Sequence, residues 1–368
     1  MEPNQNPASG EPAWGPARAG QAVARPPHRT FVGGLLALVG RIFWIFFGGV
    51  LFVLAVFVTG SVLLGLALGW GGSPDLEGRV QERHFSHNSQ APNRIVIISL
   101  EGAILEGQGF VKRQIDRARK DDNLRAIVLR VNSPGGTITG SDYILHHLTK
   151  LVQEKNIPLV VSMGGVAASG GYYVSMAVGS RPDSIFAEPT TWTGSIGVII
   201  PHYEAKELLD KIGVQADSVP SGPLKGMGTI TRPMTAKERE IFEALVKESF
   251  EQFKAIIRSG RPKFQKNPKA LDDLATGQVY SARQALQNGL VDKIGYLEDA
   301  VDRAIALAGL PPEQVNVVQY RREFSLVGYL LEGRAKTPTL DVAALVDLTV
   351  PRAYYLWSAL PPLASSGD

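Results

Sequence analysis

Cysteine is absent from the 368 residues. That excludes disulfides, thiolate catalysis and cysteine-based metal sites, while leaving the redox compartment open. Also missing are a His-Glu-x-x-His helix, a Walker phosphate loop and a Gly-x-Gly-x-x-Gly turn, so no zinc, ATP or dinucleotide site is visible and no metal or cofactor is expected. Net charge is only +3, with no basic patch interleaved with aromatics, so no nucleic-acid partner is expected. Charge is wholly missing from residues 42–68. A helix of about 27 residues at about 1.5 Å each reaches roughly 40 Å, enough to span a bilayer with tilt and longer than the apolar region of a cleaved signal peptide. Arg18, Arg25, Arg29 and Arg41 precede the run and Asp75 and Glu77 follow it. The positive-inside rule then places the N-terminus in the cytoplasm and the rest of the chain outside the cytoplasmic membrane.

What the sequence does contain is chemistry built on small residues. In Gly164-Gly165-Val166-Ala167-Ala168-Ser169-Gly170-Gly171 a serine follows a buried-looking strand, residues 157–162, and precedes a helix-like run, residues 172–178. Ser169 at such a junction is exposed as a nucleophile would be, and the N–H groups of Gly170 and Gly171 are helix-start donors aimed where charge on a substrate carbonyl would collect. A small-residue helix packed tightly on a sheet would read the same way. Upstream, the aliphatic strand at residues 125–131 ends in Asn132-Ser133-Pro134-Gly135-Gly136 and leads into a helix over 138–154. The glycines permit close backbone approach, and an N–H of Gly135 or Gly136 could complete an oxyanion hole.

A serine hydroxyl needs a base within hydrogen-bond reach. His28, His84 and His87 fall in or near the tail and linker, His146 and His147 on the helix after the glycine turn, and His202 after an apolar strand expected at 196–200. Only His202 is a rival base. Lysine can serve instead where burial lowers its pKa from about 10.4 toward neutrality.

Taken with Thr193-Gly194-Ser195 and Ser221-Gly222-Pro223-Leu224-Lys225-Gly226, these segments resemble the signal peptide peptidase A family, membrane-bound serine proteases with a Ser/Lys dyad on the fold of the Clp protease and crotonases. The resemblance runs from about residue 95 to residue 310. It implies Ser169 as nucleophile, Lys225 as general base and Ser195 as the residue that orients the lysine. It implies peptide substrates such as remnant signal peptides. Long members of the family carry a duplicated domain whose halves supply the serine and the lysine; no internal repeat occurs here, which implies a homo-oligomeric ring with each site shared between protomers. A different class of protein, a non-catalytic scaffold or acyl-ligand-binding protein on a crotonase-like fold, would use the glycine-rich pocket without the nucleophile.

The expected architecture is α/β, a ClpP/crotonase-like fold with one N-terminal transmembrane helix. Residues 1–30, rich in Pro, Gly and Ala, read as a disordered cytoplasmic tail, 31–70 as the anchor and 71–93 as a juxtamembrane linker. Residues 94–310 form the peptidase domain, with strands at 94–100 and 214–219, a helix at 110–120, and an amphipathic helix at 204–211 carrying Lys206 and Lys211 toward water. Thr235-Ala236-Lys237-Glu238 has capping-box spacing and opens a helix with Phe242, Leu245, Val246, Phe253 and Ile257 on its apolar side. In residues 276–292 a strand, a short helix stopped by Gly289 and a second strand are expected. Residues 311–368, broken by Pro338, Pro351 and Pro361, read as a packing or oligomer-contact segment.

Overall fold

The computed structural model describes Trp44 and residues 47–60, 80–322 and 353–356. Residues 1–74 and 75–368 form separate units. In the first, residues 47–60 are helical and exposed. Among the described residues no helix is long and apolar enough to cross a membrane; all of residues 1–30, expected as a tail, and the remainder of the uncharged run at 42–68 lie outside the described residues.

The second unit is built on a mostly parallel sheet. Its strands are β1 (Val80–His87), β2 (Asn93–Glu101), β3 (Leu124–Ser133), β4 (Gly135–Thr137), β5 (Leu159–Ala168), β6 (Ile185–Ala187), β7 (Trp192–Gly194), β8 (Val279–Ser281), β9 (Lys293–Ile294), β10 (Val315–Arg322) and β11 (Tyr354–Leu356). The main sheet runs β1-β10-β2-β3-β5-β6-β9, with β7 branching from β5 and pairing β8. Only β1 with β10 and β7 with β8 are antiparallel in it. β4 and β11 form a separate antiparallel pair.

Both faces of this sheet are covered, which is why its strands read as continuous aliphatic runs. Val96, Ile98, Ile127, Leu129 and Val131 enter one core with Leu148 and Leu151 of the helix Ile138–Lys155. Their alternate neighbours Ile95, Ile97, Ala126 and Val128 meet Ala300, Val301, Ala304 and Ile305 of the helix Leu297–Ala308 on the other face. One buried ion pair fastens β6: the Asp292 carboxylate accepts N–H bonds from Ser184 (2.9 Å) and Ile185 (3.0 Å) and pairs with Arg261 (2.8 Å). Burial pushes that carboxyl up, but Arg261 and the two N–H groups outweigh it and hold it below the usual carboxylate range. Its contribution is therefore full above the unfolded carboxylate pKa and fades as pH falls below it.

Several expectations need correction. The stretch read as a linker contains β1, and residues beyond 310 add β10 between β1 and β2 near one edge of the sheet, so the folded unit is wider than 94–310 at both ends. Residues 214–219 form no strand and are exposed: two valines raise β propensity, but no neighbouring strand pairs with them. Residues 196–200 make no strand either; Ile199 forms one isolated bridge. The capping box holds as read, with Glu238 N–H donating to Thr235 Oγ1 (3.3 Å) and Thr235 N–H to Glu238 Oε2 (2.9 Å). The helix Ala236–Gly260 buries Phe242, Phe253 and Ile257 but leaves Leu245 exposed.

Candidate active site

The cleft lies where β3 and β5 end, at the carboxyl edge of the parallel sheet, the place where open α/β sheets bind ligands. β5 stops at Ala168, and Ser169 adopts φ 54°, ψ −114° before the helix Gly170–Ser175 begins. A non-glycine residue in that region is uncommon and is held by its surroundings. Here the holder is β7: its parallel pairing with β5 sets Ala168 beside Gly194, and Ser169 N–H donates to Gly194 O at 2.7 Å. Ser195 follows immediately, also left-handed (φ 49°), with its N–H on Gln278 O at 2.7 Å. Both serines are buried. The structure thus brings Ser169 and Ser195 to the same strand ends.

Gly135 and Gly136 sit on the opposite wall, and no side chain fits at either. A Cβ on Gly135 would collide with Tyr355 O and lie 2.6 Å from Gly170 N and 3.1 Å from Ser169 Cβ; on Gly136 it would collide with Ile104 O. Both candidates for the upstream oxyanion donor are engaged within the chain. Gly135 N–H is occupied, donating to Ser133 Oγ at 3.1 Å, while Ser133 Oγ itself donates to Gly102 O at 2.6 Å. Gly136 N–H is engaged by the chain as well: Ile138 N–H bonds Ala353 O (3.4 Å), and hydrogen-bonded pairs alternate along an antiparallel ladder, so the next such pair is Gly136 with Tyr355. Gly136 N–H therefore faces a carbonyl oxygen lying beside Gly170 and Ser169.

Lys225 stands in an exposed loop of turns, with its own N–H on Gly222 O at 3.1 Å. Among the described residues no hydrogen bond or ion pair joins its amine to Ser169 or Ser195. Its loop is tied to the capping box: the Arg232 guanidinium donates to Gly226 O (3.3 Å) and pairs with Glu238 (2.5 Å). The Arg232 bond and the Thr235 N–H hold the Glu238 carboxyl down at about 2, so this tether weakens only as pH falls from the ordinary carboxylate range toward that value. His202, the rival base, has Nε2 3.4 Å from Thr229 O and no bond to Ser169. Among the described residues no group of three or more His, Asp or Glu is placed to hold a metal.

Two participants escaped the sequence. Ser133 Oγ engages the Gly135 N–H, a contact invisible without knowing that the β3–β5 pairing shifts register between Val131 and Ser133. Tyr355 sits in the cleft from a segment read as packing; its only signal was the Tyr354-Tyr355 pair in an otherwise aliphatic, proline-broken tail.

The fold and the cleft define an α/β protein whose buried serine stands at a strand-to-helix junction, opposite a glycine wall at the edge of a parallel sheet. The profile of Peptidase family S49 matches residues 152–311. A putative protease of Synechocystis is 33% identical over 247 residues, 67% of this chain and 86% of that protein. A putative signal peptide peptidase of Enterococcus faecium is 38% identical over 189 residues, 51% of this chain and 53% of that one. Protease 4 of Haemophilus influenzae is 35% identical over 221 residues, 58% of this chain and 34% of its own length. The chain belongs to peptidase family S49. It spans about a third of the Haemophilus protein and under half of Protease 4 of Salmonella typhi.

Proposed function

We propose that this chain is a serine endopeptidase in which Ser169 attacks the substrate carbonyl, Lys225 of a neighbouring copy accepts its proton, and Ser195 orients the lysine amine. One observation carries the reading: Ser169 stands against the Gly135 backbone in a conformation fixed by Gly194 O, with the Gly170 N–H beside it. Such donors stabilise the oxyanion of a tetrahedral intermediate. The exposed Lys225, unbonded to either serine within the chain, supports a dyad completed by association into a ring. Apolar peptides, remnant signal peptides among them, are the proposed substrates. A biotinylated fluorophosphonate should label the full-length protein and leave Ser169→Ala unlabelled. Absent labelling in an assembled wild-type protein would favour a silent scaffold or acyl-ligand-binding protein on this fold.

We further propose a single-pass anchor in the cytoplasmic membrane with the N-terminus inside, supported by the uncharged run at 42–68 and the four arginines before it. A reporter fused after Asp368 should then be active only outside the membrane, and protease added to intact spheroplasts should digest the catalytic unit. Full protection would refute this topology.

A further inference from the structure

β5 changes partners along its length. Its residues 161–163 pair with β6 and residues 166–168 pair with β7, so Gly164 and Gly165 fall between the two ladders. Two buried threonine hydroxyls bridge that change. Thr191 Oγ1 donates to Gly164 O (2.7 Å), with Met163 O at 3.2 Å, and Thr193 Oγ1 donates to Ala167 O at 2.6 Å. The two bonds are alike in chemistry and burial but differ in place. Thr191 closes the turn before β7, where its N–H donates to Glu188 O (3.0 Å), whereas Thr193 lies one residue before the carbonyl that takes Ser169 N–H and two before Ser195.

The end of β7 needs such a hold. The strand has only three residues, as has β8 on its other side, so its ladders offer few main-chain bonds. Directly beyond Thr193 the backbone is left-handed twice in succession, at Gly194 (φ 85°) and Ser195 (φ 49°), and conformations of this kind persist only where their surroundings over-determine them. Tyr280 and Gln278 O crowd Gly194 from the β8 side. Thr193 pins the β7–β8 pair from the β5 side.

We propose that Thr193 is a positioning residue for both serines: through Ala167 O its hydroxyl fixes how β7 sits along β5, and so sets Gly194 O under the Ser169 N–H and Ser195 beside Ser169. The proposal rests on the peptidase reading for what the serines do. It assigns Thr193 to the speed of acylation and not to substrate binding, since the residue is fully buried.

The test follows acylation of the full-length, assembled protein by the biotinylated fluorophosphonate, with kcat and KM for a peptide measured alongside. Thr193→Val keeps the branched shape and removes the donor; a misplacement of about 1 Å can cost about 10²-fold, and a fall of about tenfold or more in labelling rate and kcat is expected, with KM unchanged. Thr193→Ser, which restores the hydroxyl, should label close to the wild-type rate. Thr191→Val removes an equally buried hydroxyl farther from Ser169 and measures a merely structural loss, so its labelling rate should also stay close to wild type. Thr193→Val labelled at the wild-type rate, no rescue by Thr193→Ser, or Thr191→Val slowed as much as Thr193→Val would overturn the proposal. Should Thr193→Val lose its native circular dichroism because a methyl replaces the hydroxyl 2.6 Å from Ala167 O, Thr193→Ala, which brings in no such methyl, is read by the same criterion. Wild-type protein that takes no label sinks the peptidase reading itself, whereas a labelled wild type with an unslowed Thr193→Val sinks this proposal alone.

Discussion

Ser169→Ala and Lys225→Arg are each expected to lower kcat/KM for peptide hydrolysis by about 10⁴-fold or more, with the fold unchanged by circular dichroism. The serine change removes the atom that forms the acyl-enzyme, and losses of this size or larger accompany removal of a nucleophile or its base in serine proteases. The lysine change keeps charge and length but installs a guanidinium that stays protonated and cannot take the serine proton. Because the base must be a neutral amine, kcat/KM should rise with pH until that amine is deprotonated. Ser195→Ala removes an orienting hydrogen bond and not a reacting group, so its loss should be smaller. His202→Ala should retain activity, since its ring reaches Thr229 O and makes no bond to Ser169. An inactive His202→Ala protein beside a normally active Lys225→Ala protein would identify the wrong base.

Mixing Ser169→Ala with Lys225→Ala chains, each expected to be inactive alone, should bring activity back. If Ser169 of one protomer meets Lys225 of the next, co-assembly of Ser169→Ala with Lys225→Ala chains produces interfaces at which an intact serine faces an intact lysine. With random mixing in a closed ring these are about one interface in four. The recovery, from essentially nothing to roughly a quarter of the wild-type rate, is a rise of about 10³-fold over variants that are each about 10⁴-fold impaired. The exposure of Lys225 and the lack of any bond from its amine to Ser169 or Ser195 within the chain motivate the experiment. Mass spectrometry on the mixture establishes that hetero-assemblies exist. Mixed assemblies that stay inactive, together with a fully active isolated monomer, would place the dyad within one chain.

The parts of this molecule that the sequence disclosed are those governed by local rules. β2 and β3 stand out because strands buried on both faces are aliphatic throughout. The long helix begins at Thr235 because a capping box requires only four residues, and the short helix Ala282–Asn288 ends at Gly289 as expected. The glycine wall and Ser169 were legible because only small residues allow the backbones to approach there. What was hidden depends on partners distant in the chain. β10 joins the sheet beside β2 across more than two hundred residues, so nothing near Val315 announces it. The apolar residues around Val198 and Ile199 suggested a strand, yet their pairing is a single bridge to Tyr354. The bond from Gly135 N–H to Ser133 Oγ spans only two residues, yet it goes with a register shift between β3 and β5 that no local pattern announces.

The way Ser169 is held also has a consequence in time. Its N–H rests on Gly194 O, but β7 is itself supported by β8, and Ser195 N–H rests on Gln278 O. At about 5–20 residues per second, the ribosome needs roughly 5–20 seconds to go from the serine to those supports. Throughout that interval the newly made serine lies on a chain that cannot yet hold its left-handed backbone, and that conformation is supported only once residues 278–281 have arrived.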